Sequence, residues 1–282
     1  MDWRYCEHGP PSDLAPFVSC FWELRAAHAS PSRRLERVVP DGCAELVFHL
    51  GTPFRVVSDA GLHRQAAALL AGVTTSAVLL EPSTDADVFG IRLRPGGMAA
   101  LAVGAADGWT DVIAPLEQVS AAWPGPWSTD RLQQRLAETR PGAARRSLAG
   151  QFLREALRPR PSPVGRAVAL LESGRVTVDD VARDCGMSPR QLQRRFRAEV
   201  GIGPKHLARL FRLQRAVRLL EESRMSIAHV SACAGFADQA HFGREFRALC
   251  RISPSAYRAE HAPLTAAFAG SLVEEPGKPL VP

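Results

Sequence analysis

The chain has 282 residues, 46% of them hydrophobic and 23% charged, with a formal net charge of +6. That length suits two ordinary domains, and the composition is that of a globular protein rather than a fibrous or disordered one. No run approaches the roughly 18 consecutive apolar residues of a membrane helix, which excludes a helical membrane protein.

The first ten residues, "MDWRYCEHGP", lack a basic n-region and an apolar h-region, so no signal peptide is expected and the chain is read as cytoplasmic, with no membrane partner. Its six cysteines are then expected to be reduced. None forms a C-x-x-C pair, which speaks against a structural zinc site.

Residues 1–127 read as a β-rich domain. The runs "FVSCFWEL" (17–24), "AELVFHL" (44–50), "FRVVS" (54–58), "SAVLL" (76–80) and "DVFGIRL" (87–93) are short, aromatic or β-branched, and separated by turn residues. Strands at this spacing predict a small barrel or sandwich, with short helices near 97–102 and 111–119. At the second run and the residue before it, Cys43, Glu45, Val47 and His49 alternate onto one strand face, with Asp41 nearby. Such a group would suit a metal, but the two-histidine-plus-carboxylate pattern is absent and no metal or cofactor is expected. Trp22, Glu45 and His49 are the candidate contacts for a small effector; Trp109, Trp123 and Trp127 are further candidates for an apolar lining. Cys6, Cys20 and Cys43 are candidate oxidant sensors should their thiols be acidic.

Residues 128–158 predict two amphipathic helices, "STDRLQQRLAE" and "AARRSLAGQFLREAL", a connector suited to pairing two copies as a homodimer. Residues 159–163, inside "RPRPSPVG", form a linker. From 164 to 260 the pattern is helical throughout, and from 261 to 282 the Ala, Pro, Gly and Glu content predicts a disordered tail.

The helical region repeats one unit. In "CGMSPRQLQRRFRAEVGIGP" and "AGFADQAHFGREFRALCRISP" a glycine ends one helix, a polar residue caps the next, two apolar residues follow four apart, and Ile-x-Pro closes the unit. Ser188 and Asp238 are the caps, with Pro189 at the first helical position of the first copy. Leu192 and Phe196, and then Phe242 and Phe246, are predicted to face inward. Each copy is a helix-turn-helix whose second helix would enter a major groove. "KHLARLFRLQRAVRLLEE" (205–222) predicts a rod roughly 27 Å long between them. A rod of that length would hold the two readers about one DNA turn, roughly 34 Å, apart. Residues 163–260 carry 17 Lys/Arg against 10 Asp/Glu, a surplus of seven, while the rest of the chain is near balance. A localised basic surplus points to a polyanion. No G-x-S-x-G, P-loop or H-E-x-x-H pattern is present, so no catalytic residue is assigned.

Over residues 163–258 these motifs resemble the DNA-binding region of the arabinose-operon regulator (AraC/XylS) family of bacterial transcription factors. The resemblance implies an α+β chain of two domains: an N-terminal cupin-like barrel with flanking helices, and an all-α pair of helix-turn-helix subdomains joined by a long helix. It implies promoter DNA as partner, a small-molecule effector in the barrel, and RNA polymerase if the protein activates. On the family's pattern Arg190, Gln193 and Arg194 face bases in the first reader, and Gln239, Ala240, His241 and Arg244 in the second, flanked by Gln191, Arg197 and Arg247. Three positions depart from the pattern. Arg251 replaces the usual glycine before Ile-x-Pro, predicting strain or a phosphate contact; Ser231 replaces an alanine; Ala240 and Gly243 leave the second reader with few specific groups. The likeness of residues 3–158 to cupin-like sensor domains is looser. An alternative therefore stands beside the regulator: a metal-binding or catalytic barrel recruited to DNA by the helical domain.

Overall fold

The computed structural model describes residues 3–26, 35–101, 104–120, 127–174 and 176–260; the tail from 261 onward and Trp123 lie outside them. The N-terminal half contains two antiparallel sheets. The larger has six strands in the order β1 (Trp3–His8), β2 (Val18–Ala26), β9 (Asp87–Leu93), β4 (Ala44–His49), β7 (Ala68–Ala71) and β10 (Ile113–Pro115). The smaller has β3 (Glu36–Val38), β8 (Val78–Glu81), β5 (Arg55–Ser58) and β6 (Gly61–Arg64).

Alternation along the strands sorts the side chains of the large sheet onto two faces. Phe21, Leu46, Phe48, Phe89 and Ile91 join the main core. Cys20, Trp22, Leu24, Val47, Leu69 and Val88 form a second apolar cluster, against which Leu80 of the smaller sheet packs. The aromatic and β-branched runs quoted above became strands. β7, "ALLA", did so with residues of helical preference, because it is sandwiched between β4 and β10 and almost wholly buried. Of the two short helices expected, one is a 3₁₀ turn at Gly97–Leu101. Residues 111–119 instead open with β10, and helix α1 (Glu117–Ser120) follows.

Helices α2 (Thr129–Glu138) and α3 (Ala143–Ala156) lie on the sheet. Leu132, Leu136, Leu148, Phe152 and Leu153, the apolar stripe read as suited to pairing two copies, are buried in the chain's own core. The buried Arg145 anchors α3 by donating to both Asp87 oxygens, at 2.7 and 2.9 Å. After residues 157–163 come α4 (Val164–Glu172), α5 (Val178–Asp184), α6 (Pro189–Val200), α7 (Pro204–Glu222), α8 (Ile227–Ala234), α9 (Gln239–Cys250) and α10 (Pro254–Glu260). The two halves are not separate globules, since one continuous core runs from Phe21 and Phe89 through Leu207 to Phe246. Cys233 is exposed, whereas Cys250 is buried.

Candidate nucleic-acid interface

The first reader is built by local signals. Thr177 and Asp180 cap α5 reciprocally, at 3.2 and 3.1 Å. Acidic residues in that first turn also complement the helix dipole. Gly186 turns the chain at φ +65°. At the start of α6 Gln191 N donates to Ser188 Oγ at 3.3 Å, and Ser188 N donates to Gln191 Oε1 at 2.8 Å. Leu192 and Phe196 are fully buried beneath it.

This geometry sorts the predicted site residues. Arg190, Arg194 and Arg197 are exposed, the first two four residues apart and so on one helix face. Gln191 is also exposed, but its carbonyl oxygen closes the capping box, leaving only the amide hydrogens for a partner. Gln193 turns sideways against the start of α7; a Cβ on Gly203 would come 2.5 Å from its Nε2. With Arg197 it borders an open cleft of about 540 Å³ that Lys205, His206 and Arg209 also line. The helical pattern did not mark the last three, because their place depends on how α6 meets α7. Burial and the neighbouring Arg209 hold the His206 imidazole below its ordinary basicity.

The second reader repeats the plan. Ser226 Oγ accepts from His229 N at 3.2 Å, Gly235 turns at φ +86°, and Asp238 Oδ1 accepts from His241 N at 2.6 Å. That last bond holds the Asp238 carboxyl below the usual carboxylate range. Gln239, Ala240, Arg244 and Arg247 are exposed. His241 is half-buried, edge-on to Phe236 at 5.8 Å and with Nε2 3.7 Å from Glu245. Glu245 accepts from Arg209 Nε at 2.9 Å and lies 3.8 Å from Arg212, tying the second reader to the rod. Arg251 takes the left-handed conformation, φ +62°, and its guanidinium donates to Ser76 Oγ of the barrel at 3.2 Å. Its departure from the family's glycine therefore makes a contact within the chain.

The effector candidates separate. Trp22 and Glu45 lie near one buried guanidinium, Arg92, whose side chain is 2% exposed. Arg92 Nε donates to Glu45 at 2.7 Å and is 3.5 Å from Asp41; Nη1 donates to Glu7 at 3.1 Å. Burial raises the Glu45 carboxyl above its ordinary value, against the pull of Arg92. Burial also pushes the Cys20 and Cys43 thiols up, away from the acidity an oxidant sensor needs. His49 is elsewhere, over Phe54, with Nε2 3.1 Å from Gln65 Oε1; burial lowers its pKa to about 4. Trp127 is taken up by the helices, donating to Glu155 at 2.7 Å. Among the described residues, no three His, Cys, Asp or Glu side chains gather so as to hold a metal ion, and no helix is long and apolar enough to cross a membrane.

Comparison with known proteins agrees with this geometry. Residues 181–260 match the family described as a helix-turn-helix domain, and residues 6–115 match a domain of unknown function (DUF6597). The chain is 33% identical over 225 residues to the transcriptional activator NphR of Rhodococcus sp, an alignment covering 79% of this chain and 62% of that protein. It is 35% identical over 83 residues to the HTH-type transcriptional regulator MtrA of Neisseria gonorrhoeae, covering 29% and 28%. A solved AraC-type transcriptional regulator from Chromobacterium violaceum shares 34% identity, with a TM-score of 0.32, over 34% of this chain and 88% of that one. The chain thus spans less than two thirds of the length of these two sequence relatives. The C-terminal region of the chain is an AraC-type helix-turn-helix DNA-binding domain.

Proposed function

We propose that the chain is a sequence-specific transcription regulator in which α6 and α9 enter successive major grooves of promoter DNA. The observation that carries this reading is the duplicated reader: two capped helices, each with a buried apolar pair four residues apart and exposed arginines. Arg190, Arg194 and Arg244 suit bidentate contacts with guanine, and Gln239 with adenine. Arg197 and Arg247, further along each helix, suit phosphates. The second reader offers fewer base-reading groups, since Ala240 is small and His241 leans on Glu245.

In this reading the protein works in the cytoplasm, and its further partners are a small effector near Trp22, Glu45 and Arg92, RNA polymerase if it activates, and a second copy of the chain. A homodimer would rest on exposed residues of α2 and α3, because their leucines are already buried. The rival reading, a metal-binding or catalytic barrel, draws on Asp41, Cys43, Glu45 and His49; Arg92 engages two of these, Asp41 and Glu45, which favours the regulator.

The test is a footprint of the full chain on DNA enriched by it from a randomised pool. Two protected patches about one helical turn apart on one face are expected. A single short patch would remove the second reader from the mechanism, and no enrichment at any salt would end the DNA-binding reading.

A further inference from the structure

The last carbonyls of a helix lack donors within the helix. Both readers find theirs on the N-terminal β-rich half. At the end of α6, Thr110 Oγ1 donates to Gly201 O at 2.8 Å. At the end of α9, Ala77 N donates to Leu249 O at 2.7 Å and Arg37 Nη1 donates to Cys250 O at 2.9 Å. Arg251, which terminates α9, reaches back to Ser76. Gripped at these ends, 12-residue readers carry their N-terminal turns roughly 18 Å from the barrel contacts.

The two gripping loops are themselves joined. Thr75 donates to the Asp111 carboxylate through both N and Oγ1, each at 2.6 Å. Asp111 N donates to Val73 O at 3.0 Å, and Gly72 N to Val112 O at 2.9 Å. An unbroken series of contacts therefore leads from Gly201 through Thr110, Asp111 and Thr75 to Ser76, Arg251 and Leu249. Among the described residues, Asp111 (φ +58°) and Arg251 (φ +62°) are the non-glycine residues with positive φ, and both stand on this bridge. Such a conformation is unfavourable for a residue with a Cβ and persists where surrounding contacts over-determine it.

We propose that this bridge sets the separation and relative angle of the two readers, with Asp111 and Arg251 as positioning residues that determine the operator spacing the protein accepts. The proposal rests on the DNA-binding reading above. The rod is one connection between the subdomains, with Glu245 of α9 held by Arg209 and Arg212 of α7. The bridge joins them a second time, closing a ring of contacts. One inserted base pair moves the second half-site by about 3.4 Å and about a tenth of a turn, so a braced pair of readers must discriminate against it.

The experiment uses the full chain, an operator selected by it from a randomised DNA pool, and versions of that operator with one base pair added or removed between the halves. Asp111→Gly and Arg251→Gly each remove a bridging side chain while placing glycine where φ is positive, so the backbone is kept. Thr110→Val, which keeps the shape and loses the donor, is the third variant. Wild type should lose about tenfold in affinity per inserted base pair, the scale of one mismatched pair. The glycine variants should bind the selected operator within about threefold of wild type, and lose no more than about threefold on the altered spacings. A role in stability alone would lower affinity evenly, leaving the spacing profiles parallel, and that result overturns the proposal. Failure of the wild-type chain to select any DNA would instead overturn the reading on which it rests.

Discussion

Arg194 and Arg197 lie three residues apart on α6, yet the proposed reading gives them different work, and salt tells the two apart. Arg194 shares its exposed face with Arg190 in the N-terminal half of the helix, the part that meets base edges. Arg197 borders the cleft with Lys205 and Arg209, where the DNA backbone would pass. Each phosphate neutralised contributes about −0.9 to the slope of log affinity against log salt. If Arg190, Arg194, Arg197, Arg244 and Arg247 all met phosphates, the slope would be about −4.5, or roughly 500-fold between 50 and 200 mM. Arg194→Ala should therefore leave the slope unchanged while costing about 1–3 kcal/mol at one base pair, with preference relaxed there. Arg197→Ala should make the slope shallower by about 0.9 and weaken all sequences alike. Both positions are exposed, so thermal melts should move by less than about 0.5 kcal/mol. The assay is equilibrium binding to the selected operator and its single-base variants at four salt concentrations. An Arg194→Ala loss that is even across sequences and flattens the slope would refute the helix phase assigned here.

Three further substitutions probe the scaffold. Glu221 accepts from Tyr257 Oη at 2.6 Å, and burial raises its pKa to about 7, so the folded state keeps a proton that the unfolded chain releases near pH 4.5. Stability from this group is complete below pH 4.5 and lost as pH rises to about 7; Glu221→Gln should add about 3 kcal/mol at pH 8 and nothing at pH 4 in denaturant melts. Gly90→Ala should destabilise by about 1–3 kcal/mol, because a Cβ there overlaps the Trp22 ring, and should shift the tryptophan emission. Arg92→Met should cost about 3–5 kcal/mol by leaving Glu7, Asp41 and Glu45 without their shared cation, and the loss should shrink in acid, where the carboxylates protonate.

The reader helices were legible because their signals are local. Caps, turn glycines and apolar pairs act over four or five residues, and Ser188, Gly235 and Phe242 do what their spacing predicts. Even the use of Gln191 was readable, since Ser-x-x-Gln is a capping-box spacing. The sideways turn of Gln193 was not, because it depends on how the start of α7 lies against α6. β7 was hidden for a related reason: its Ala and Leu residues carry no strand preference, and strand neighbours on both sides override that composition. The contacts between the barrel and the readers left the faintest trace. They end on backbone carbonyls of Gly201, Leu249 and Cys250, which no residue type announces. The one hint was Arg251, an arginine where glycine is usual.

The strand register gives a physical route from the barrel interior to those contacts. Cys20, Arg92, Glu45, Ala71 and Ile113 form one cross-strand row, each paired with the next. Within the row Arg92 holds Glu45. At its β10 end, Ala71 directly precedes the loop containing Thr75, Ser76 and Ala77, and Ile113 directly follows the one containing Thr110 and Asp111. A ligand that drew Glu45 away from Arg92 would thus act on β4, which pairs with β7, which in turn pairs with β10. A close-packed interior transmits strain, so a displacement at Glu45 would act first on β7 and, through it, on β10. Because Asp111 and Arg251 are already held in left-handed backbone, relaxation there would lower the cost of moving the grip. Two-sided control of this kind needs the loops to be coupled, and the Thr75–Asp111 hydrogen bonds supply that coupling.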